Sequence, residues 1–366
     1  MNDARPVRAE DAFDVGAVDA WLRAAGVTGL GKAAGGLPEV RQFAGGASNL
    51  TYLLRYPARE LILRRPPAGT KASSAHDMAR EHRIQSLLAG HFPVPRMVAL
   101  CTDPGVLGSD FYVMERVDGV IPRATMPPEV GSQPDLLRRL SERFVDTLVR
   151  LHAVDPVATG LDAIGRGDGY VARQVAGWSE RYRRAKTWNV PSFERTMRWL
   201  DSNQPGDVRA CVIHNDFRLD NLVLDRDDPL EVKAVLDWEL ATLGDPLMDL
   251  GSSLAYWVQA DDGRAARFLG RQPTYLPGML TRAEIVARYC EATGLSAERW
   301  TFYEVFGLFR LAVIAQQIYY RYHHKQTRNP AFRRFWLAAW LLERRCRALV
   351  RSPRTSPRTS GSATRT

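Results

Sequence analysis

One stretch, VIHNDFRLDNLVLD at residues 212–225, constrains the fold more than any other part of the 366-residue chain. Short apolar runs stand on both sides of its polar centre, which predicts a tight loop between two short strands. Asp216 follows His214 by two residues and precedes Asn221 by five. A further short run, VKAVLDW, brings Asp237 to the end of another predicted strand. Oxygen ligands carried on different strands are what a hard divalent cation requires.

The spacing H-x-D-x-x-x-x-N also suits a division of chemical roles within one loop. Asp216 could accept a proton from an attacking hydroxyl group. Asn221 and Asp237 could then hold magnesium against the phosphates of a nucleotide. An ordinary polar turn is the alternative, and the acidic residue downstream disfavours it. His214 is predicted to brace the loop through hydrogen bonds rather than to contact substrate.

The region between residues 40 and 117 has the pattern of a small sheet. The runs VRQFA, LTYLLRY, ELILRR and FYVMERV are rich in apolar, β-branched and aromatic residues, and Gly-rich or Pro-rich segments bound several of them. The segment SSAHDMAREHRIQSLLAG predicts a helix between the third and fourth runs. Its predicted N-cap is Ser73 or Ser74, and its predicted terminator is Gly90.

The pattern changes near residue 118, and this change defines the predicted domains. Residues 1–35 are predicted to form an N-terminal helical extension and residues 36–118 a nucleotide-binding lobe. Residues 119–350 place apolar residues at helical spacing and predict a mostly helical lobe with substrate-binding helices. The tail at 351–366 contains four arginines and no acid, and its composition predicts disorder. Removing its charges lowers the net charge from +9 to +5, which weakens the argument for nucleic-acid binding.

Composition and local hydropathy predict a soluble globular protein. The N-terminal segment lacks the apolar core of a secretory signal, and the apolar run LFRLAVIAQQIYY is interrupted by Arg310 and by Gln316. The four cysteines lie far apart without a C-x-x-C pair, so no zinc site or disulfide framework is indicated. We expect a cytoplasmic protein that binds no membrane and no specific nucleic acid. The oligomeric state is left open.

Six ordered segments resemble the aminoglycoside phosphotransferase family, whose members are related to protein kinases. They span residues 44–251 and read AGGASNLTYLL, LILRRPP, REHRIQSLL, FYVMERVDG, VIHNDFRLDNLVLD and LDWELATLGDPLMDLG. The likeness is greatest to the phosphotransferase domains fused to some acyl-CoA dehydrogenases. It implies an α+β, protein-kinase-like bilobal fold, with a small antiparallel-sheet N-lobe, one long helix and a mostly helical C-lobe. It also implies an ATP-dependent phosphotransferase that uses magnesium and an alcohol acceptor, with GTP as an alternative nucleotide.

The resemblance implies roles for the residues of the H-x-D-x-x-x-x-N loop. Asp216 resembles the catalytic base, and Asn221 and Asp237 resemble the metal ligands. Arg218 stands two residues after the base, where many kinases keep a lysine that neutralises the transferring phosphoryl group. A guanidinium suits that role. His214 is grouped with these catalytic residues as the brace of the loop.

The string AGGASN is the predicted phosphate-covering loop. Gly45 and Gly46 would let backbone N–H groups approach phosphate oxygens, and Ser48 and Asn49 could donate as well. A Gly-Gly hairpin turn is the alternative explanation. The segment that resembles the adenine-binding hinge contains Met114, Glu115 and Val117.

Arg64 takes the strand position that a lysine holds in protein kinases, with Arg65 beside it. An arginine keeps the positive charge and can pair with a carboxylate, so Glu81 on the following helix is the predicted partner. This ion pair would orient the α and β phosphates. Alignment favours Arg64 over Arg65, and the alternative is that both arginines are solvated at a strand end.

Two segments after the predicted metal ligand carry further expectations. The chain has DWE where protein kinases have DFG, and Trp238 can pack as the phenylalanine does. Glu239 could assist a second metal, contact substrate or face solvent. In GDPLMDLG, Asp245 and Pro246 predict the N-cap and first residue of a helix. Asp249 is predicted to anchor the loop by hydrogen bonds.

The acceptor is predicted to be a small molecule. Only eleven residues separate Asp237 from Asp249, too few for the peptide-docking segment of a protein kinase. Residues 281–350 contain twelve Lys or Arg and five Asp or Glu, a balance that disfavours a polycation and favours an anionic acceptor. The resemblance to dehydrogenase-linked domains implies a hydroxyacyl-CoA or related hydroxy acid. Three residues on one helix face could grip it or form a solvated stripe: Arg310, Gln317 and Arg321.

Two alternatives for the function are kept. One is a kinase of aminoglycosides or of other amino sugars and amino alcohols. The other is a pseudokinase that binds a nucleotide without turnover.

Overall fold

The computed structural model describes residues 4–31, 36–43, 49–67, 77–263, 267, 272–327 and 329–351. The chain divides into two compact units, and neither is continuous in sequence. The first unit comprises Met1–Ile121, Pro156–Ile164 and Asn221–Ala241. The second comprises Pro122–Asp155, Gly165–Asp220 and Thr242–Thr366.

The strands β1 (Ala4–Arg5), β2 (Glu39–Phe43), β3 (Leu50–Tyr56), β4 (Arg59–Arg65), β5 (Met97–Cys101) and β6 (Phe111–Glu115) form the main sheet of the first unit. This six-stranded antiparallel sheet has the order β1-β2-β3-β4-β6-β5. The apolar and aromatic runs predict β2, β3, β4 and β6, and the structure confirms these four. Strands β1 and β5 were not predicted.

The N-terminal segment is part of the first unit rather than an extension of it. Helix α1 (Val15–Ala24) begins after Asp14, whose carboxylate accepts the Ala17 N–H at 2.9 Å. Its apolar face is buried in the same core cluster as residues of β3, β4 and β6. Strand β1 pairs with β2. The predicted N-terminal helical extension at residues 1–35 contains a helix, but the face of this helix is packed in the core of the first unit, because its burial depends on contacts that are distant in sequence.

Helix α2 (Met78–Leu88) is the helix predicted between the third and fourth runs. Its N-cap is Asp77, whose carboxylate accepts the Arg80 N–H at 2.8 Å. The predicted caps Ser73 and Ser74 lie outside the described residues. Gly90 follows the helix with φ +83°, as the prediction of a terminator requires. A short helix, α3 (Pro104–Leu107), lies between β5 and β6.

A hairpin from the middle of the chain also belongs to the first unit. Its strands β8 (Leu222–Leu224) and β9 (Val232–Val235) are antiparallel, and Val120 forms a bridge with Leu224. A Cβ atom at Gly119 would lie 2.4 Å from the Leu224 carbonyl oxygen, so glycine permits this close approach. The predicted continuous lobe at 119–350 differs from the structure here, because pairing with Val120 places residues 221–241 in the first unit.

The second unit is mainly helical. It contains α4 (Pro134–His152), α5 (Tyr170–Ala185), α6 (Glu194–Ser202), α7 (Pro246–Ala255), α8 (Arg282–Thr293), α9 (Trp300–His323) and α10 (Phe335–Arg351). Strands β7 (Cys211–Ile213) and β10 (Thr242–Gly244) pair antiparallel. Helix α9 packs against α5, α7 and α10, which explains why most of its length is apolar. The predicted α+β, kinase-like fold is confirmed.

Two further expectations concern the whole chain. The four cysteines are free thiols, in agreement with the absence of a predicted disulfide framework. In the part of the chain that the structure describes, no helix has the length and apolar character needed to cross a membrane. The predicted tail beyond residue 351 lies outside the described residues.

Candidate active site

The loop that carries Asp216 follows β7 in the second unit. Residues on both sides of Asp216 are buried: His214 has no exposed surface, and Phe217 packs against Phe144 with ring centroids 4.8 Å apart. The His214 ring accepts the Asp216 N–H at its Nδ1 atom, at 3.3 Å. This contact agrees with the predicted bracing role of His214.

Asp249 on α7 fixes the backbone just before Asp216. Its carboxylate accepts the N–H groups of His214 and Asn215, each at 2.8 Å, and lies 3.2 Å from His152 Nε2. Burial acts to raise the pKa of Asp249, but the hydrogen bond with His152 and the nearby donors lower that pKa overall. The predicted structural role of Asp249 is present in the structure.

Asp245 caps the same helix as predicted. Its Oδ1 atom accepts the N–H groups of Leu247 and Met248 at 2.9 and 3.0 Å, and its Oδ2 atom accepts the Val208 N–H at 2.8 Å. Pro246 follows as the first helical residue. The cap places Asp249 one turn into the helix, where its carboxylate reaches the loop.

Arg218 lies beside the candidate base. Its Nη2 atom is 3.3 Å from Asp216 Oδ2, and its Nε atom is 3.5 Å from Asp220 Oδ1. The guanidinium carbon stands 5.0 Å from the centroid of the Tyr256 ring. Burial, followed by the charge of Asp216, raises the pKa of Tyr256 to about 12. The arrangement keeps a cation beside the base. Asp220 and Tyr256 carry no signal in the sequence pattern that would predict their place here.

The three predicted substrate residues on α9 do not share one environment. Arg310 is only 4% exposed, and its Nη2 atom donates to the Asn215 carbonyl oxygen at 2.7 Å. Gln317 is half-buried and Arg321 is exposed. Arg310 therefore belongs neither to a solvated stripe nor to an open substrate surface, because its position on the helix turns it toward the loop.

In the first unit, Arg64 forms the predicted ion pair. Its Nη1 atom lies 2.9 Å from Glu81 Oε1, and its Nη2 atom lies 3.0 Å from Asp237 Oδ1. Arg65 points to the other face of the sheet, where its Nη2 atom donates to the Asp11 carbonyl oxygen at 2.8 Å. Both arginines are buried, so the alternative of two solvated side chains is wrong.

The Arg64–Glu81 pair is buried, with Arg64 8% and Glu81 1% exposed. Burial opposes the charged form of Arg64, yet the surrounding carboxylates raise its pKa well above the usual range. Burial also raises the pKa of Glu81, and the neighbouring guanidinium opposes that change. Tyr112, directly opposite Arg64 in the sheet, donates its hydroxyl to Glu81 Oε1 at 2.9 Å. The sequence pattern did not identify Tyr112, because its role depends on the register between β4 and β6.

Trp238 and Glu239 replace the second and third residues of the kinase DFG segment. Trp238 is fully buried and packs edge-to-face on Phe92 with ring centroids 5.7 Å apart, as predicted for the phenylalanine position. Glu239 accepts the Asn49 Nδ2–H at 2.9 Å and lies 3.8 Å from Arg64 Nη2. Its side chain is only 12% exposed, so the expectation that it faces solvent is wrong.

Asn221 and Asp237 lie at the same end of the β8–β9 hairpin. Leu222 lies opposite Val235 in the hairpin. The N–H of Leu236, the residue after Val235, donates to the Asn221 carbonyl oxygen at 2.9 Å. Asp237 has φ +72°, and a third of its side-chain surface is exposed. One carboxylate and one amide leave positions for water and phosphate oxygens, as Mg²⁺ prefers. Among the described residues, no group of three or more His, Cys, Asp or Glu side chains could hold a metal ion.

The remaining predicted nucleotide contacts are only partly described. Met114 is buried in the sheet, and Val117 is half-buried. The Glu115 N–H donates to the Arg96 carbonyl oxygen at 2.9 Å, and its carboxylate pairs with Arg59 at 2.6 Å. That N–H is thus used within the first unit. Five residues of the predicted phosphate loop, 44–48, lie outside the described residues, and Gly45, Gly46 and Ser48 are among them.

A six-stranded sheet with the Arg64–Glu81 pair, followed by a strand and loop that carry H-x-D-x-x-x-x-N, defines the class of kinase-like phosphotransferases. Residues 39–285 match the model of the phosphotransferase enzyme family APH. The chain belongs to this phosphotransferase family. The predicted family resemblance is confirmed.

Similar proteins include both curated sequences and solved structures. Acyl-CoA dehydrogenase family member 10 of Mus musculus is 38% identical over 322 residues, which cover 87% of this chain and 29% of the mouse protein. A candidate aminoglycoside phosphotransferase of Ralstonia eutropha has 30% identity and a TM-score of 0.74, with 92% of this chain and 99% of that chain covered. The fold is also that of a thermostable mutant of aminoglycoside phosphotransferase APH(4)-Ia, in a ternary complex with ADP and hygromycin B. That structure has 16% identity and a TM-score of 0.56, with 86% of this chain and 94% of that chain covered.

Proposed function

We propose that this protein transfers the γ-phosphoryl group of ATP to the hydroxyl group of a small, anionic acceptor. The observation that carries the proposal is the Asp216 loop, in which a partly exposed carboxylate lies beside Arg218 on a backbone anchored by Asp249. Phosphoryl transfer depends mostly on positioning and on neutralisation of charge. A fixed carboxylate with an adjacent cation meets both needs.

In this reaction Asp216 accepts the proton of the acceptor hydroxyl, and Arg218 neutralises charge on the transferring group. His214 acts through the loop by accepting the Asp216 N–H. Because the fully buried His214 ring contacts the backbone of Asp216, we assign it to positioning rather than to contact with substrate.

The first unit supplies the residues for the nucleotide. Asn221 and Asp237 would hold Mg²⁺, which when bound neutralises phosphate charge. Arg64, oriented by Glu81, is the cation for the α and β phosphates. Further contacts are proposed for the phosphate loop and the hinge: Gly45, Gly46, Ser48, Asn49, Met114, Glu115 and Val117. ATP is the proposed nucleotide, and GTP is an outcome that a competition assay would detect.

The acceptor is proposed to be a hydroxyacyl-CoA or related hydroxy acid. The name of the mouse relative associates a similar domain with acyl-CoA chemistry. The basic excess in residues 281–350 supports an anionic acceptor, although ion pairs reduce it. Arg282 pairs with Asp262 at 2.6 Å and Arg288 pairs with Asp146 at 2.8 Å, and both acids lie outside that segment. Arg321 is exposed and remains a proposed contact for the acceptor; Gln317 and Glu239 are proposed with it.

A panel assay tests this function. Purified protein would be given Mg-ATP with hydroxyacyl-CoAs, hydroxy acids, sugars, amino alcohols and aminoglycosides, and phosphorylated products would be detected by mass spectrometry. We expect a hydroxyacyl-CoA or hydroxy acid to give the highest kcat/KM. Asp216→Asn should lower kcat by about two to four orders of magnitude, the usual contribution of a general base, with Mg-ATP affinity within about twofold.

Several outcomes would overturn parts of the proposal. A higher kcat/KM for an aminoglycoside would contradict the assignment of the acceptor. Tight Mg-ATP binding with neither a phosphorylated product nor slow ATP hydrolysis would identify a pseudokinase. Full turnover by Asp216→Asn would remove Asp216 from the role of base.

A further inference from the structure

The residue just before the candidate base has an unfavourable backbone conformation. Asn215 has φ +65°, in the left-handed region that L-residues other than glycine adopt rarely. Asparagine tolerates this region better than most residues, but the conformation still needs support from its surroundings. Since the Asn215–Asp216 peptide sets the direction of the Asp216 side chain, whatever holds Asn215 also orients the base.

Three helices hold Asn215, each by a different chemical group. Its N–H donates to Asp249 on α7 at 2.8 Å. Its side-chain Oδ1 accepts the Tyr170 hydroxyl, at the start of α5, at 2.9 Å. Its carbonyl oxygen accepts Arg310 Nη2, on α9, at 2.7 Å. The carbonyl contact controls the orientation of the peptide plane that joins Asn215 to Asp216.

Two glycines fix the distance between the helices that carry Asp249 and Arg310. A Cβ atom at Gly307 would lie 2.1 Å from the Gly251 carbonyl oxygen, so α9 and α7 touch by their backbones at this point. Gly251 is two residues from Asp249, and Gly307 is three residues from Arg310. The close approach therefore sets both side chains at a defined separation around Asn215.

The Arg310 side chain is itself held in place. It is only 4% exposed, and its guanidinium carbon lies 5.1 Å from the centroid of the Trp178 ring. The Trp178 indole N–H donates to Gln174 Oε1 at 3.0 Å, which fixes the ring. A buried cation with an aromatic neighbour and a backbone carbonyl as acceptor has few other conformations available.

We propose that Arg310 is a positioning residue. By donating a hydrogen bond to the Asn215 carbonyl oxygen, it holds Asn215 in the left-handed conformation and so orients the Asp216 carboxylate. The inference rests on the proposed role of Asp216. It assigns Arg310 to the loop, whereas the helical spacing of Arg310, Gln317 and Arg321 had suggested a substrate contact.

The test compares Arg310→Met, which keeps most of the side-chain volume, with Arg310→Lys, which keeps the charge. Arg184→Met on α5 is the matched control, because Arg184 is an exposed arginine outside the proposed site. Two readouts are needed: kcat with the KM for ATP, and amide hydrogen exchange in residues 214–219. We expect Arg310→Met to lower kcat by about 10- to 100-fold, less than the two to four orders of magnitude that a general base contributes, because the base is still present but mispositioned. The KM for ATP should stay within twofold, and amide exchange in the loop should accelerate by at least tenfold.

Arg310→Lys should recover part of kcat and of the protection from exchange, since an ammonium group can still donate to the carbonyl. Arg184→Met should leave both readouts unchanged. The proposal is overturned if Arg310→Met leaves loop exchange and kcat at wild-type values. It is also overturned if that variant raises the KM for the acceptor while kcat is retained, since Arg310 would then bind substrate.

Tyr170→Phe provides a second variant in case Arg310→Met does not fold. It removes one hydroxyl from the same residue, Asn215, and we expect faster exchange in residues 214–219 with a kcat several-fold lower. Unchanged exchange in Tyr170→Phe would then overturn the proposal that the hydrogen bonds of Asn215 hold the loop. Amide exchange does not require turnover, so an enzyme without kinase activity would contradict the proposed function and still test the role of Arg310.

Discussion

The two groups of charged residues in this protein are stabilised in opposite ways. In the first unit, the charge cluster of Arg64, Glu81, Asp237 and Glu239 consists of side chains that contact one another. In the second unit, Asp249 and Arg310 contact backbone groups of the Asp216 loop. Side-chain pairs can exchange partners when a ligand arrives, whereas contacts to backbone hold one conformation. The charge cluster therefore suits binding, and the loop anchors suit positioning.

The comparison predicts the largest loss of turnover at Asp249. Asp249→Asn leaves at least one of the N–H groups of His214 and Asn215 without its acceptor, and a buried unsatisfied donor costs about 1–3 kcal/mol. We expect a lower free energy of unfolding by that amount and a kcat lower by about 100-fold or more, comparable to loss of the base. Urea unfolding and steady-state kinetics would measure both. Retention of kcat with an exchange-protected loop would show that the anchor has no part in positioning.

Substitutions of Arg64 should change the affinity for the nucleotide rather than the conformation of the Asp216 loop. Arg64→Met leaves the buried Glu81 without its cation, which is destabilising by roughly 3–5 kcal/mol when a buried pair is broken. Arg64→Lys restores the charge, and we expect its Mg-ATP affinity to fall by about tenfold at most, equivalent to about 1.4 kcal/mol. Calorimetric titration would measure the affinity.

Arg65→Met is the control for this prediction, because Arg65 contacts Asp11 and Tyr52 on the other face of the sheet. It should lower stability and leave the Mg-ATP affinity of the folded protein unchanged. Equal loss of affinity in Arg64→Lys and Arg65→Met would contradict the separation of the two faces.

Tyr112 gives a smaller and more specific test of the charge cluster. Tyr112→Phe removes a hydroxyl that donates to Glu81, and Tyr56→Phe removes one that donates to Asp19 at 3.1 Å in the same unit. Each should cost about 1–2 kcal/mol of stability, as expected for a buried hydrogen bond to a carboxylate. Only Tyr112→Phe should raise the KM for ATP, by several-fold. A similar rise in both variants would show a general effect of stability.

The smallest expected effect is the contribution of His82, on α2, to the pH dependence of the protein's stability. Burial lowers the pKa of His82 in the folded protein, so the unfolded chain takes up the proton first as the pH falls. The contribution of neutral His82 to the free energy of unfolding is present above its pKa in the unfolded chain, about 6.5. It is lost as the pH falls toward and through the pKa of His82 in the folded protein. His82→Gln should thus show a smaller decrease in Tm between pH 7 and pH 5. An identical decrease in the wild type and the variant would exclude this contribution.

The sequence predicted those features that depend on local spacing. The H-x-D-x-x-x-x-N loop between short strands and the helix start at Asp245 and Pro246 follow from residue type and order, and the pairing of Arg64 with Glu81 follows from the family resemblance. The contacts of Arg310 and Tyr112 could not be predicted, because they depend on a glycine contact between two helices and on strand register. Val120 pairs with Leu224, about a hundred residues away. Local patterns do not show such pairing, so the sequence predicts residues 221–241 in the second unit, whereas they belong to the first. Local patterns therefore predict the candidate catalytic and metal-binding residues better than the residues that hold them in place.

We propose that Asp237 holds the magnesium ion of a bound nucleotide and that Asp216 accepts the proton of the acceptor hydroxyl. The most direct measurement is the affinity for ATP, by calorimetric titration with and without Mg²⁺, in the wild type, Asp237→Ala and Asp216→Asn. We expect Mg²⁺ to strengthen ATP binding in the wild type and in Asp216→Asn, and to have little effect in Asp237→Ala. Undiminished magnesium-dependent binding in Asp237→Ala would contradict the account.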